Sequence, residues 1–416
     1  MGRRLFLSGV VLFVLTLSFV VVVKADSLTW SQTYGGTGSD IPHSLITTAD
    51  GGYVLAGETG SFGAGHKDFW LIKTDISGNV EWNQTYGGLG YERAYGLVAT
   101  SDGGYALIGD NLLVKTDEFG DMEWNQTYGG GSTDFVLSLV EVSDGGYAIA
   151  GFTYSFGAGG QDCWLVKTDA AGNAEWNQTY GGAGDDRAHT LIKADDGGYV
   201  LAGTTRSYGA GNFDFWVVKT DANGTMQWNQ TYGKTTYEYG YSIVKTFDEG
   251  YAIAGFTGYT DSIEGEKYDF WLVKIDEFGA MQWNQTYGGE GDDRVYSLVA
   301  TSDGGYLLVG GTMSFGAGNM DSWLVKTDSM GNMEWNMIYG GGGADVAHSV
   351  VETSDGGYAI AGETASFGAG AVDFWLVKTD ETGYVPEYSS WILPSLLLVA
   401  TLVIVINKRK LLTLHS

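Results

Sequence analysis

Apolar runs alternate with turn residues in a four-part pattern that recurs from one end of the chain to the other. The unit after Trp176 shows it plainly. His189 to Ala194 is a first run and leads into Asp196-Gly197-Gly198, a tight-turn signal that favours positive φ. Tyr199 to Thr205 is the second run, and the loop Ser207 to Asn212 separates it from the third, Asp214 to Asp221. Asn223-Gly224 then turns the chain into the fourth, Met226 to Tyr232. These runs are called strands A to D. Strand C is apolar nearly throughout (Phe215, Trp216, Val217, Val218), as in a sheet covered on both faces. Four antiparallel strands per unit, stacked face to face, make one propeller blade.

The count predicts how the ring closes. The tryptophans that open strand D are Trp30, Trp82, Trp124, Trp176, Trp228, Trp283 and Trp335, spaced by 52, 42, 52, 52, 55 and 52 residues. Six complete A-B-C-D sets run from His43 to Tyr339. A seventh, His348 to Asp380, has no strand D after it. Leu28 to Tyr34, LTWSQTY, is a strand D with nothing before it. The expectation is an all-β, seven-bladed propeller of four-stranded antiparallel blades over residues 26–383, closed by its N-terminal strand, which also removes free sheet edges.

The flanks differ in character. Residues 1–25 carry Arg3-Arg4, an apolar run from Leu5 to Val23 and Lys24-Ala25, the pattern of a signal peptide or signal anchor. RRLFL resembles a twin-arginine motif; the very hydrophobic run favours the general secretory route. Residues 384–390 read as a linker, 391–407 as a transmembrane helix and 408–416 as a basic tail. Lys408, Arg409 and Lys410 place that tail in the cytoplasm, so the ring is expected outside the cell membrane on a single C-terminal span. The tail, with Pro386-Glu387-Tyr388, also resembles archaeosortase-processed tails, whose motif is Pro-Glu-Phe.

Composition narrows the function. With 22 basic against 50 acidic residues the net charge is −28, which repels nucleic acid and anionic headgroups. Cys163 is the single cysteine, so no intrachain disulfide holds the exported ring. Thirteen of the 14 tryptophans fall at two repeat positions, in strand C and at the start of strand D, which suits core packing more than sugar platforms.

Candidate chemistry lies on the rim shared by the D-to-A and B-to-C loops. Every D-to-A loop carries an acid: Asp40, Glu92, Asp134, Asp186, Glu238, Asp293 and Asp345. A carboxylate ring at a channel mouth is suited to Ca²⁺ or another hard cation. The competing reading is that each acid fixes its own turn by accepting backbone N–H groups, and presence in all seven blades favours that architectural role. No other cofactor is indicated. His43, His189 and His348 begin strand A in blades 1, 4 and 7, where blades 2, 5 and 6 have Tyr95, Tyr241 and Tyr296. Blades 7 and 1 are neighbours, so His348 and His43 with Asp345 and Asp40 form a candidate metal set; ordinary rim hydrogen bonding is the alternative. Arg93, Arg187 and Arg294 follow the loop acid and are expected to pair with carboxylates. Blade 2 lacks the SFGAG-type loop and blade 5 lengthens it to Gly258–Tyr268, which predicts a notch and a protrusion on this rim. Asn83, Asn125, Asn177, Asn229 and Asn284 in the repeated NQT, and Asn223 in a turn, are glycosylation candidates.

TYGGxGxD, DGGYxxAGxTxSF and DFWLVKTDxxGN together resemble the bacterial and archaeal seven-bladed propeller repeat with TYLGG and GDD signatures. TDxxGNxxW is also similar to the turn-stabilising Asp-box. The family resemblance implies an exported or surface-displayed propeller, often without assigned activity. The reading is a membrane-anchored binding or scaffold module with a protein or carbohydrate ligand and no nucleic-acid partner. The alternative is an extracellular glycan hydrolase or lyase using acids of the mouth; a quinone-dependent dehydrogenase comes third. No Ser-His-Asp or Cys-His set is visible, and no catalytic residue is assigned.

Overall fold

The computed structural model describes residues 29–261 and 265–385. The signal segment, the membrane span, the basic tail and most of the linker lie outside them. Among the described residues no helix is long and apolar enough to cross a membrane.

The described chain forms seven four-stranded sheets. Blade 4 is typical, with strands Asp186–Lys193, Tyr199–Thr205, Asp214–Thr220 and Met226–Tyr232 in antiparallel order. The seventh sheet is Asp345–Glu352, Tyr358–Thr364 and Asp373–Thr379, completed by Trp30–Tyr34 from the other end of the chain. Its register runs from Trp30 opposite Lys378 to Tyr34 opposite Phe374. The orphan strand and the orphan three-stranded sheet therefore meet as the repeat count requires.

Strands B and C of blade 4 are buried at every position, whereas strand D is mostly exposed. The core lies between blades: Val200 and Val217 of blade 4 pack with Ile253, Trp271 and Val273 of blade 5. Across the closing seam Leu55 and Trp70 of blade 1 pack with Ala361 and Phe374 of blade 7. The last tyrosine of each strand D donates its hydroxyl to a glycine carbonyl in the next blade, for example Tyr180 to Gly224 (2.5 Å) and, at the seam, Tyr34 to Gly78 (2.7 Å). In the A-to-B turn a Cβ on Gly198 would lie 2.0 Å from the Thr220 carbonyl oxygen, so that glycine is required; Gly197, with φ +82°, is favoured, and Glu249 takes its place in blade 5 with φ +66°.

Strand A begins three residues earlier than its apolar run suggests. It starts at the loop acid, with Asp186 opposite Thr205. Its register then shifts between Ala188 and Thr190, leaving His189 as the bulged residue. The same shift falls at His43, Leu137, Tyr241, Tyr296 and His348. A period-2 reading has no place for such a residue.

The repeated NQT also finds a structural cause. Asn83, Asn177, Asn229 and Asn284 accept the indole N–H of the strand C tryptophan of their own blade at 3.1–3.3 Å. Asn336, which is not in a sequon, does the same for Trp323 at 3.2 Å. Asn125 faces no such indole, because Leu112 stands at that place in blade 2. Asn223 is exposed in its turn.

Candidate functional site: the channel mouth

Seven loop acids make up the candidate carboxylate ring. Asp40, Asp134, Asp186, Glu238, Asp293 and Asp345 are buried, and Glu92 is half-buried. Asp186 shows why. One oxygen accepts the Thr205 hydroxyl and the backbone N–H groups of Arg206 and Ser207; the other accepts Gly182 N–H (2.8 Å) and the Ser207 hydroxyl (2.6 Å). Asp40, Asp134, Asp293 and Asp345 repeat this arrangement. Glu238 accepts Lys234 N–H and the hydroxyls of Thr236 and Thr257. Each of the five aspartates ties its D-to-A loop to the B-to-C loop of the same blade; Glu92, in the blade without that loop, accepts Gly88 N–H of its own turn. Their lone pairs are committed to the turns.

The aspartate opening strand C lies close by, on the preceding blade. A Cβ on Gly35 would touch both Asp373 and Asp40, and one on Gly288 both Asp269 and Asp293. Burial, reinforced by Asp293, pushes Asp269 up to about 6. Among the described residues no group of three or more His, Cys, Asp or Glu side chains is arranged to hold a metal ion.

The histidines and tyrosines do converge. The bulges turn them onto the ring axis, where they line a cavity of about 190 Å³ with Tyr95 and Leu137. His43 and His348 lie 5.6 Å apart between ring centres, and His43 meets Tyr95 at 4.9 Å. Tyr296 meets His348 at 5.4 Å and Tyr241 at 5.5 Å, and Tyr241 stacks on His189 at 4.7 Å. His43 and His348 are thus brought together as expected, but without Asp40 and Asp345, which stay in their turns. The acid beside them is Glu363, 3.8 Å from His348 Nε2. Burial holds His43 well below the ordinary imidazole value, helped by the charges of Arg93 and Lys67. Burial likewise pulls His189 down to about 4, and its Nδ1 lies 2.8 Å from the Gly240 carbonyl oxygen, so it carries the proton there.

Above this ring the blades differ most. The residue after the loop acid reads Ile41, Arg93, Phe135, Arg187, Tyr239, Arg294 and Val346 from blade 1 to blade 7. The strand B residue opposite it reads Glu58, Phe152, Thr204, Phe256, Gly311 and Glu363 in the six blades with a B-to-C loop. These two columns face each other in register, as Arg187 faces Thr204 and Tyr239 faces Phe256. Arg93 pairs with Asp110 (2.8 Å) and Arg294 with Asp292 (3.2 Å) as expected. Arg187 meets no carboxylate among the described residues: its Nε donates to Gln161, and its guanidinium covers Phe152 and Phe213 at 5.3 and 5.8 Å. Arg294 covers Phe256 and Tyr268. Glu58, Phe152, Arg206, Phe213, Phe256 and Tyr268 were missed by motif reading. Comparing blades column by column exposes most of them.

The predicted notch and protrusion are both present. Where blade 2 lacks its loop, a cleft of about 430 Å³ opens between Gly87, Gly88, Glu92, Asn111 and Leu112. In blade 5, strands Tyr251–Asp261 and Gly265–Ile275 pair four residues beyond Thr257–Asp269, where strand pairs B and C of the other looped blades end.

No family model matches the chain, and no curated protein does. Solved structures match it in fold. The Neurospora crassa Pan2 WD40 domain matches at TM-score 0.55 and 10% identity, over 86% of this chain and 98% of that one. BBS1N in complex with ARL6DN matches at TM-score 0.51 and 8% identity, over 85% and 98%. A protein of unknown function from Bacteroides caccae aligns at TM-score 0.43 and 15% identity, over 69% and 93%. At such identities the likeness concerns architecture alone: the chain is a seven-bladed β-propeller.

Proposed function

We propose that the propeller is a binding or scaffold module held outside the cytoplasm at the cell membrane by residues 391–407, and that it takes a protein or carbohydrate ligand at the channel mouth. One observation carries this reading. Blades that are nearly identical in turns, core and outer strand diverge in the columns that face the mouth. A rigid repeat needs the invariant positions for its architecture; the divergent positions that are half-exposed, Ile41, Arg93, Phe135, Arg187, Tyr239 and Arg294 with Phe152 and Glu363, are free to be shaped by a ligand. The bulged ring of His43, His189 and His348 with Tyr95, Tyr241 and Tyr296 forms the floor of that surface. The loop acids support it from beneath through their turns.

A combined glycan and cell-surface-protein array probed with the full chain tests the proposal. Saturable binding without turnover is the expected result. Turnover of a glycan, abolished by Asp269→Asn with folding intact, would contradict it.

A further inference from the structure

Cations are scarce in this chain, 22 against 50 carboxylates, and most of those among the described residues are committed to ion pairs. Lys67 holds Glu58, Arg93 holds Asp110, Lys219 holds Asp196 and Arg294 holds Asp292. Arg187 and Arg206 depart from this: neither meets a carboxylate among the described residues. Both guanidiniums lie over the ring of Phe213, at 5.8 and 5.4 Å from its centre. Gln161 pins Arg187 through Nε, which leaves the terminal nitrogens of that fork open. Phe213 is 8% exposed, so the two charges rest on a buried ring rather than in free solvent. Beside it Tyr237 and Tyr239 lie 6.1 and 5.3 Å from Phe213 and are parallel to one another within 3°, 6.3 Å apart. Both are half-exposed and form a short strip of two parallel rings.

We infer that this corner of the mouth, between blades 4 and 5, is a subsite for a carboxylate-bearing saccharide of the hexuronate class. The sugar rings lie on the tyrosine strip and the carboxylate sits in the open arginine fork. This rests on the reading of the mouth as the ligand surface. An unpaired guanidinium offers a carboxylate parallel N–H donors, and a neighbour that holds the same ring doubles the local charge. Tyrosine faces supply apolar area for the C–H face of a pyranose ring at low entropic cost. The −28 net charge opposes any anion at long range, but screening confines that repulsion to about 8 Å at physiological salt. A short oligosaccharide is therefore favoured over a polyanion. An acidic peptide would satisfy the arginines and leave the strip uncovered.

Calorimetric titration of the full chain with trigalacturonate, its methyl ester and triglutamate tests this. The acid should bind about tenfold or more tighter than the ester, whose rings are the same and whose charge is gone. Arg187→Gln with Arg206→Gln should lower affinity for the acid about tenfold and leave the ester unchanged. Should the double variant lose its cooperative melt, Arg206→Gln alone, at an exposed position, reads out the same change. Equal binding of acid and ester, unchanged binding by the arginine variants, no binding of trigalacturonate, or equal binding of triglutamate would each overturn the inference. If neutral ligands bind the mouth while trigalacturonate does not, only the acidic subsite falls. If no ligand binds the mouth at all, the proposed function falls with it.

Discussion

The two rims of the ring are built by opposite rules. On the rim of A-to-B and C-to-D turns, one motif repeats around the ring. The lysine near the end of strand C is buried and reaches the A-to-B turn aspartate and, in blades 1 to 6, a strand D side chain. Lys73 does so with Asp50 (2.9 Å) and Glu81 (2.7 Å), and Lys326 with Asp303 (2.7 Å) and Glu334 (3.0 Å). On the mouth rim the corresponding columns change from blade to blade, and Ile41, Arg187 and Tyr239, all half-exposed, occupy equivalent places. A buried ammonium needs acceptors, so the lysine and the turn aspartate stay constant, and in blades 1 to 6 the strand D partner changes only between Glu and Gln. A half-exposed mouth residue has no such obligation. Repetition therefore marks architecture, and departure from it marks the site.

The largest break in this comparison removes the ring itself. Deleting residues 26–36 takes away the strand opposite Asp373–Thr379 and exposes the seam core of Leu55, Trp70 and Phe374. Cooperative unfolding should be lost, as read by calorimetry. A single sharp transition near that of the intact chain would contradict closure by this strand.

Next come the rims compared directly. Lys326→Met removes a charge that is 2% exposed, but its partners are about half exposed and partly resolvated. The expected loss is about 2 kcal/mol in denaturant unfolding. Arg206→Gln, on the mouth and without an ion pair, should stay within about 0.5 kcal/mol. Equal losses would erase the distinction.

Acid titration sharpens the mouth chemistry. His189 has a folded pKa of about 4 against an ordinary 6.5. As pH falls from 6.5 towards 4 the unfolded chain takes up a proton that the native state refuses, and stability is lost across that window. His189→Gln should lose less over the same range. Asp269 behaves oppositely, because its folded value of about 6 lies above 3.8. Asp269→Asn should be more stable than the parent above pH 6, with the advantage fading as pH falls to about 4. Melting temperatures of both variants across that range check the signs.

The smallest effect separates two asparagines that look alike in sequence. Asn229→Gln displaces the acceptor of the Trp216 indole (3.1 Å) and should cost about 1 kcal/mol. Asn125→Gln, with no indole to satisfy, should cost close to nothing.

Much of this architecture was legible from residues. The LTWSQTY orphan and the unpaired DFWLVKTD predicted closure, and DGGY located the A-to-B turn in every blade but blade 5, which reads DEGY. The site was less legible. Asp40 and its equivalents drew attention as a carboxylate ring because regular spacing resembles a ligand set, yet regularity was the mark of their turn role. Strand A was read too short because the bulge at His189 interrupts the period of two. Arg187 was expected to find an acid; which partner it meets depends on Gln161, 26 residues away and on the preceding blade. Membrane anchoring and export concern residues outside those described.

The central claim is that the mouth, not the opposite rim, receives the ligand. Two full-chain triple variants test it most directly with any ligand found by the arrays: Arg93→Ala, Tyr239→Ala, Arg294→Ala on the mouth, and Glu141→Ala, Lys193→Ala, Asp195→Ala on the other rim. The account predicts that the first loses binding by about tenfold or more while the second binds as the parent does. The reverse pattern, with both variants folded, would contradict it.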